Sequence, residues 1–223
     1  MVNWLRTGLY VLLTTQLVAL CTARTARAAP SQRIIYVQPL LPAPGPKVMT
    51  AVQQGLLAFF PVQVRFLPAV DLPKSAFFAA RRRWRAEKLL DYLTDHLPKD
   101  GTKILGLTSA DISTTKGAIQ DWGVLGLGSL DGRACVVSSY RARKGVPVRV
   151  ELERMAKVAV HEVGHTFGLE HCPNLGCLME DARGKVATTD GEDGLCPACL
   201  RQLRQAGVVV PALARRPWRS VPR

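Results

Sequence analysis

The chain has 223 residues, a length typical of one domain rather than two. Hydrophobic residues make up 48% of the sequence and charged residues 21%, a globular composition that excludes a disordered, collagen-like or coiled-coil chain. The formal net charge of +13 favours binding to anionic surfaces but carries no information about the fold.

The first 28 residues have the pattern of a secretory signal peptide. Arg6 provides a positive charge before the apolar run of residues 8–20, and the small residues within 26–28 form a cleavage site. Because a transmembrane helix needs about 20 apolar residues, we expect cleavage, no stable membrane insertion afterwards, and a periplasmic or extracellular protein. The alternative is a lipid anchor on Cys21, although the residue before it is larger than such sites normally allow.

Strand and helix patterns alternate along the rest of the chain, as expected for a single-domain α/β sandwich over residues 29–207. In chain order, the sequence predicts a strand over 33–38 that ends at the prolines of 39–46, a helix over 47–60, a strand over 62–67, a helix over 83–97, strands over 103–108, 122–127 and 134–140, and helices over 150–169 and 197–205. The Asp131-Gly132 pair predicts a hairpin between the last two strands. We therefore expect a mixed, mainly parallel sheet with one antiparallel edge strand, followed by a basic tail over 208–223.

Three of the four histidines lie in one segment of the last third of the chain. His161 and His165 are four residues apart in the predicted helix, so both rings can reach one zinc ion. Glu162 lies beside them, where it can hold a water molecule. Gly168 can end the helix in the left-handed conformation, and the chain can then turn back to bring in His171 as the third ligand. Three imidazoles leave a fourth position open, which is typical of catalytic zinc.

Four of the six cysteines lie close behind these histidines as two pairs, Cys172 with Cys177 and Cys196 with Cys199. This spacing is typical of tetrahedral thiolate ligation by a second, structural zinc. Two disulfides are the alternative, since an exported protein enters an oxidising compartment. Zinc is favoured because it contributes folding free energy to an otherwise irregular segment. Cys135 is left over, and its strand-like surroundings predict a buried apolar thiol.

The segment HEVGHTFGLEH at residues 161–171 resembles the zinc signature of the metzincin peptidases. Together with Met179 and the four cysteines, the pattern resembles the archaemetzincins, specifically over about residues 156–202. The resemblance implies a catalytic zinc on the three histidines, Glu162 as general base, a structural zinc on the cysteines and Met179 in the turn beneath the metal. It also implies a five-stranded sheet, with an antiparallel edge strand at 123–128 that pairs with a bound peptide. This chain departs from the family's usual pattern in having a signal peptide.

We therefore predict a secreted or periplasmic zinc-dependent peptidase that hydrolyses peptide bonds with a zinc-activated water and Glu162 as general base. The resemblance also implies aminopeptidase activity, but the sequence identifies no acidic residue that would anchor the free amine of a substrate. We expect a monomer whose partner is a peptide or protein substrate and not nucleic acid. The basic run at 81–85 is interpreted as a solvated helix start with Trp84 facing inward. The alternative function is a non-catalytic zinc protein that binds peptides or anionic envelope surfaces, which the presence of Glu162 disfavours.

Overall fold

The computed structural model describes residues 33–211. The predicted signal peptide, including Cys21, and residues 212–223 of the predicted tail lie outside this range. Val208, the first residue of the predicted tail, is fully buried in the core, so the packed structure extends past the predicted boundary at residue 207. Among residues 33–211, no helix combines the length and the apolar character needed to cross a membrane.

Strands and helices alternate through most of the described chain. In chain order they are β1 (Arg33–Leu41), α1 (Pro46–Phe59), β2 (Val62–Phe66), β3 (Val70–Asp71), β4 (Phe77–Phe78), β5 (Arg83–Arg85), α2 (Ala86–Asp95), β6 (Lys103–Thr108), β7 (Ile112–Lys116), β8 (Ile119–Val124), β9 (Gly126–Gly128), β10 (Ala134–Ser138), α3 (Ser139–Ala142), α4 (Val148–Thr166), α5 (Thr188–Gly191) and α6 (Pro197–Gln205). The α/β sandwich predicted from the alternation is confirmed.

The main sheet has the strand order β2-β1-β6-β10-β9, and the short β3 also pairs with β1. Neighbouring strands are parallel except for β9, which is antiparallel to β10 at the sheet edge. The predicted mixed sheet with one antiparallel edge is therefore confirmed. The first strand continues past its predicted end at Gln38, because Leu40 and Leu41, which follow Pro39, pair with β3.

Helices cover both faces of the main sheet. Along β1, Ile35 and Val37 face one hydrophobic core, which also contains the buried residues of α1 and α4. Ile34 and Tyr36 face the other core, which contains the buried face of α2. Both faces of the sheet are thus buried, as parallel sheets require. This packing fixes α4 against the sheet beside the edge strand β9.

A second, four-stranded sheet with the order β4-β5-β7-β8 was not predicted. The helix predicted over 83–97 begins only at Ala86, because Arg83–Arg85 is a strand that pairs with β4 and β7. The strand predicted over 122–127 is divided at Leu125. The part before Leu125 belongs to β8 of the small sheet, and the part after it is the edge strand of the main sheet.

Ion pairs tie the basic run of residues 81–85 into the small sheet, so its interpretation as a solvated helix start is wrong. The expected inward packing of Trp84 is confirmed, because this side chain packs against the core that contains the buried face of α2. Arg83 contacts Asp111 at 2.9 Å and Asp121 at 2.7 Å. Arg141 also donates to Asp111, at 3.0 Å. These side chains are largely shielded from solvent, with exposed fractions between 12% and 25%. The ion pairs anchor the β7–β8 hairpin, which forms one rim of a cleft described below.

Candidate active site

The carboxyl-terminal part of α4 carries the two histidines predicted as zinc ligands. The Nε2 atoms of His161 and His165 lie 3.1 Å apart. The helix ends at Thr166, and Gly168 follows with a φ of +84°, which allows the chain to reverse. His171 then returns to the same point, and one ring nitrogen of each histidine lies within 4.8 Å of the others. The structure thus brings the three predicted ligands together.

Backbone carbonyls orient the two helical histidines. The Nδ1 atoms of His161 and His165 lie 2.6 Å from the carbonyl oxygens of Leu178 and Leu169, respectively. Because a carbonyl oxygen can only accept, each Nδ1 must carry the proton and donate it. Each Nε2 then keeps its lone pair, as a metal ligand requires.

Burial also keeps these rings neutral. It lowers the pKa of His161 to about 3, and it lowers the pKa of His165 as well. Neutral imidazole is the form that binds zinc. Three nitrogens placed about 2.0–2.1 Å from a tetrahedral zinc ion lie about 3.3 Å from one another, close to the separation of the two helical histidines. The residues present therefore fit a catalytic zinc ion.

Glu162 lies between α4 and the edge strand β9, and its side chain lines the same cleft as the histidines. Only 7% of the residue is exposed. Burial raises the pKa of its carboxyl group to about 8, and a hydrogen bond from the backbone of Gly128 opposes part of this rise. The structure places a basic carboxyl group beside the three histidines.

Two glycines permit this close approach of β9 to α4. A Cβ atom at Gly126 would lie 2.6 Å from Oε1 of Glu162, and one at Gly128 would lie 2.5 Å from the Glu162 backbone oxygen.

We expect Gly126→Ala to displace the carboxyl group and lower kcat by about 100-fold with little change in stability. Gly128→Ala should lower stability by about 1–3 kcal/mol, because the helix backbone cannot move aside. Thermal melting and peptide-cleavage rates of both variants check these expectations. Equal losses of kcat and of melting temperature in the two variants would contradict them.

The four cysteines predicted as a second metal site form one cluster. The Sγ atom of Cys196 lies 3.6 Å from the Sγ atom of Cys172 and 3.6 Å from that of Cys199. The Sγ atoms of Cys177 and Cys199 lie 3.7 Å apart. A disulfide would require about 2.05 Å, and all four thiols are free. Four sulfurs at about 2.3 Å from a tetrahedral zinc ion lie about 3.8 Å apart, which matches the cluster. The cysteines therefore provide a structural zinc site and not two disulfides, and the chain has sites for two zinc ions. The predicted burial of Cys135 is confirmed, since it is fully buried away from this cluster.

Met179 lies directly beneath the active-site helix. It is fully buried, and its sulfur packs so closely on Gly164 that a Cβ atom there would lie 2.7 Å away. The backbone around it joins the two metal sites: Leu178 accepts from His161, and the Met179 carbonyl accepts from the N–H of Cys172 at 2.6 Å. The structure thus places Met179 where the resemblance implies.

A cleft of about 660 Å³ lies in front of the histidines. One side is formed by β8 and β9, and the other by residues 180–192, which follow Met179. The two rims meet at Trp122 and Gly184, where a Cβ atom on the glycine would lie 2.5 Å from the indole ring. The site is therefore a groove bounded by an open sheet edge.

Sequence reasoning missed one acidic residue of this cleft, Glu192. Glu192 is 2% exposed and lines the cavity together with Glu162. Burial raises the pKa of the Glu192 carboxyl group to about 8. An isolated glutamate in a segment rich in Gly and Asp carries no local signal of this position, because only the tertiary packing buries it.

Comparisons with known proteins agree with the geometry. A family model described as peptidase family M54 matches residues 59–205. Archaemetzincin from Halobacterium salinarum is 36% identical over 139 residues, covering 59% of this chain and 77% of the relative. Archaemetzincin from Pyrococcus abyssi is 32% identical over 190 residues, covering 77% of this chain and 95% of the relative.

Solved structures show the same similarity. The crystal structure of archaemetzincin from Methanopyrus kandleri has a TM-score of 0.67 and 27% identity, covering 79% of this chain and 96% of that one. The archaemetzincin from Archaeoglobus fulgidus has a TM-score of 0.64 and 30% identity, covering 76% and 99% of the two chains. With the family model spanning more than half of the sequence, the chain belongs to the archaemetzincins, peptidase family M54, and is a zinc metallopeptidase.

Proposed function

We propose that this metallopeptidase binds its peptide substrate as an extended strand along β9 and cleaves it with Glu162 as general base. The observation that carries the proposal is the position of the Glu162 carboxyl group, between three clustered histidines and the sheet edge. Beyond β9 the main sheet has no further strand among the described residues, so its outer backbone groups can pair with a substrate.

His161, His165 and His171 would hold the catalytic zinc. When bound, zinc lowers the pKa of a water ligand to about 7 and polarises the substrate carbonyl. Glu162 accepts the proton from the attacking water and returns it to the nitrogen of the leaving amine. Burial alone raises the pKa of Glu162 to about 8, and the positive charge of a zinc ion on the neighbouring histidines would favour the ionised carboxylate that accepts the proton. The glycines of β9 leave space for this exchange beside the substrate.

The test is incubation of the zinc-loaded chain with a mixed peptide library, with new termini identified by mass spectrometry. The Glu162→Ala variant is the control, and cleavage by wild type alone is expected. Loss of single N-terminal residues would establish the aminopeptidase activity that the family resemblance implies, whereas internal cuts would establish an endopeptidase. A zinc-loaded wild type that cleaves nothing would favour the alternative, a non-catalytic protein that binds peptides or anionic envelope surfaces.

We also propose that the peptidase is exported and works as a monomer. The signal-like pattern of residues 1–28 supports export. In a bacterial host, the mature chain in the periplasm or medium is expected to begin at Ala29. Mass measurement of the purified protein checks this, and either an intact Met1 or a lipid on Cys21 would contradict it.

A further inference from the structure

Glu192 is a buried carboxyl group without an assigned role. It follows the short helix α5, is 2% exposed, and faces the same cavity as Glu162. Its carboxylate accepts no hydrogen bond and forms no ion pair with any residue in the range 33–211. A buried carboxylate without hydrogen-bond partners is costly, and native structures rarely retain one without a reason.

The other acidic groups on this side of the cleft are already satisfied. Glu180 accepts from the backbone N–H of Gly176 at 2.8 Å, and Asp181 accepts from that of Arg183 at 2.8 Å. Glu192 has no equivalent donor among the described residues. It is thus the carboxylate on this wall that is left for a ligand to satisfy.

Two cations of α4 near Glu192 form ion pairs with other acids. Lys157 lies 2.7 Å from Glu153 and donates to the carbonyl of Thr189 at 2.9 Å, so it attracts Glu192 only through space. Arg154 is held by Asp190 through two contacts of 2.6 and 2.7 Å. Lys157 and Arg154 therefore each form an ion pair with an acid other than Glu192.

Further negative charge lies nearby. Two other carboxyl groups, those of Glu180 and Glu162, act on Glu192 electrostatically, and both disfavour its ionised form. A cationic group that enters from the cleft would favour the ionised form of Glu192 and supply the hydrogen-bond donors that none of the described residues provides.

We propose that Glu192 is a specificity-determining residue that binds a cationic group of the peptide substrate, supplied by its N-terminal ammonium or by a lysine or arginine side chain. The inference rests on the proposed function, because it assumes that substrates occupy this cleft. Both sources offer the same chemistry, a protonated nitrogen that donates hydrogen bonds to the carboxylate and neutralises its charge. A neutral analogue of the same shape leaves the carboxylate unpaired and is disfavoured.

The experiment compares kcat/KM for matched peptides with the zinc-loaded chain and its Glu192→Gln variant. One pair differs in a free or acetylated N-terminus, and others exchange lysine for norleucine or arginine for citrulline at single positions. Wild type is expected to prefer one cationic series by about tenfold or more, and Glu192→Gln should abolish that preference while neutral peptides are still cleaved. The series whose preference disappears identifies the source of the cation.

Glu151→Gln is the matched control, because Glu151 lies in the first turn of α4, does not line the cleft, and undergoes the identical charge change. It should leave the preference intact. A wild type without any preference, a preference that persists in Glu192→Gln, or equal loss of neutral and cationic cleavage would each overturn the proposal. Cleavage of neutral peptides by wild type would in those cases still support the peptidase function. If Glu192→Gln does not fold, Glu192→Asp retains the charge on a shorter side chain and should reduce the preference without reversing it.

Discussion

Replacing Glu162 with glutamine is expected to lower kcat by about 10²- to 10⁴-fold, the range typical of lost general acid–base catalysis. Glutamine retains the shape of the side chain but cannot accept a proton from water. Both zinc ions should remain bound, because the rings of His161 and His165 are oriented by the carbonyls of Leu178 and Leu169 and not by Glu162.

Initial rates on a fluorogenic peptide and elemental analysis of the purified variant check this expectation. The control is Glu151→Gln, which removes an acid of α4 that does not line the cleft and should leave kcat within a few-fold of wild type. Turnover of Glu162→Gln within about tenfold of wild type would assign the proton transfer to another group. Loss of zinc together with activity would instead make Glu162 a residue that supports the metal site.

Cys177→Ser is expected to remove the structural zinc and lower the free energy of unfolding by more than about 4 kcal/mol, as losses of a bound metal can. The side chain of Cys177 is buried beside Cys199, and serine is a poor replacement for a thiolate ligand. For a chain of this size, the melting temperature should fall by about 10 °C or more. Elemental analysis in excess zinc should give one zinc ion per chain where wild type gives two.

Cys135→Ala is the matched control, since it removes a fully buried cysteine that lies outside the cluster. It should retain two zinc ions and lose less stability. Two zinc ions in Cys177→Ser would show that the cluster tolerates three thiolates. A wild-type mass lower by four hydrogens, together with a single bound zinc, would show that the exported protein forms two disulfides instead.

The catalytic constellation was predictable because its geometry is local. The helix fixes His161 and His165 on one face. The positive φ of Gly168 reverses the chain, so that His171, three residues later, reaches the same point. The bounds of β6 and α6 agree with their predictions for a similar reason: β6 has a short apolar run and α6 begins with proline at its first turn.

The small sheet was not predictable, because β4 and β5 have only two and three residues, too few to show a period. Trp84 repeats at helical spacing with the leucines of α2, yet it pairs with Ile112 of β7 and packs on Phe77. The position of Glu192 depends likewise on segments distant in sequence, which place it near Lys157 in the middle of the active-site helix. Such contacts become visible only in the folded chain.

The adjacency of His171 and Cys172 makes the two metal sites thermodynamically dependent on each other. The same short segment supplies a ligand to each site, and Leu178 and Met179 connect them again through the carbonyls that bind His161 and Cys172. Zinc binding at the cysteine site orders the segment that carries His171, so binding of the second zinc ion costs less conformational entropy. We therefore expect each zinc ion to raise the affinity for the other by the same factor. Peptidase activity would then report on a metal that never touches the substrate.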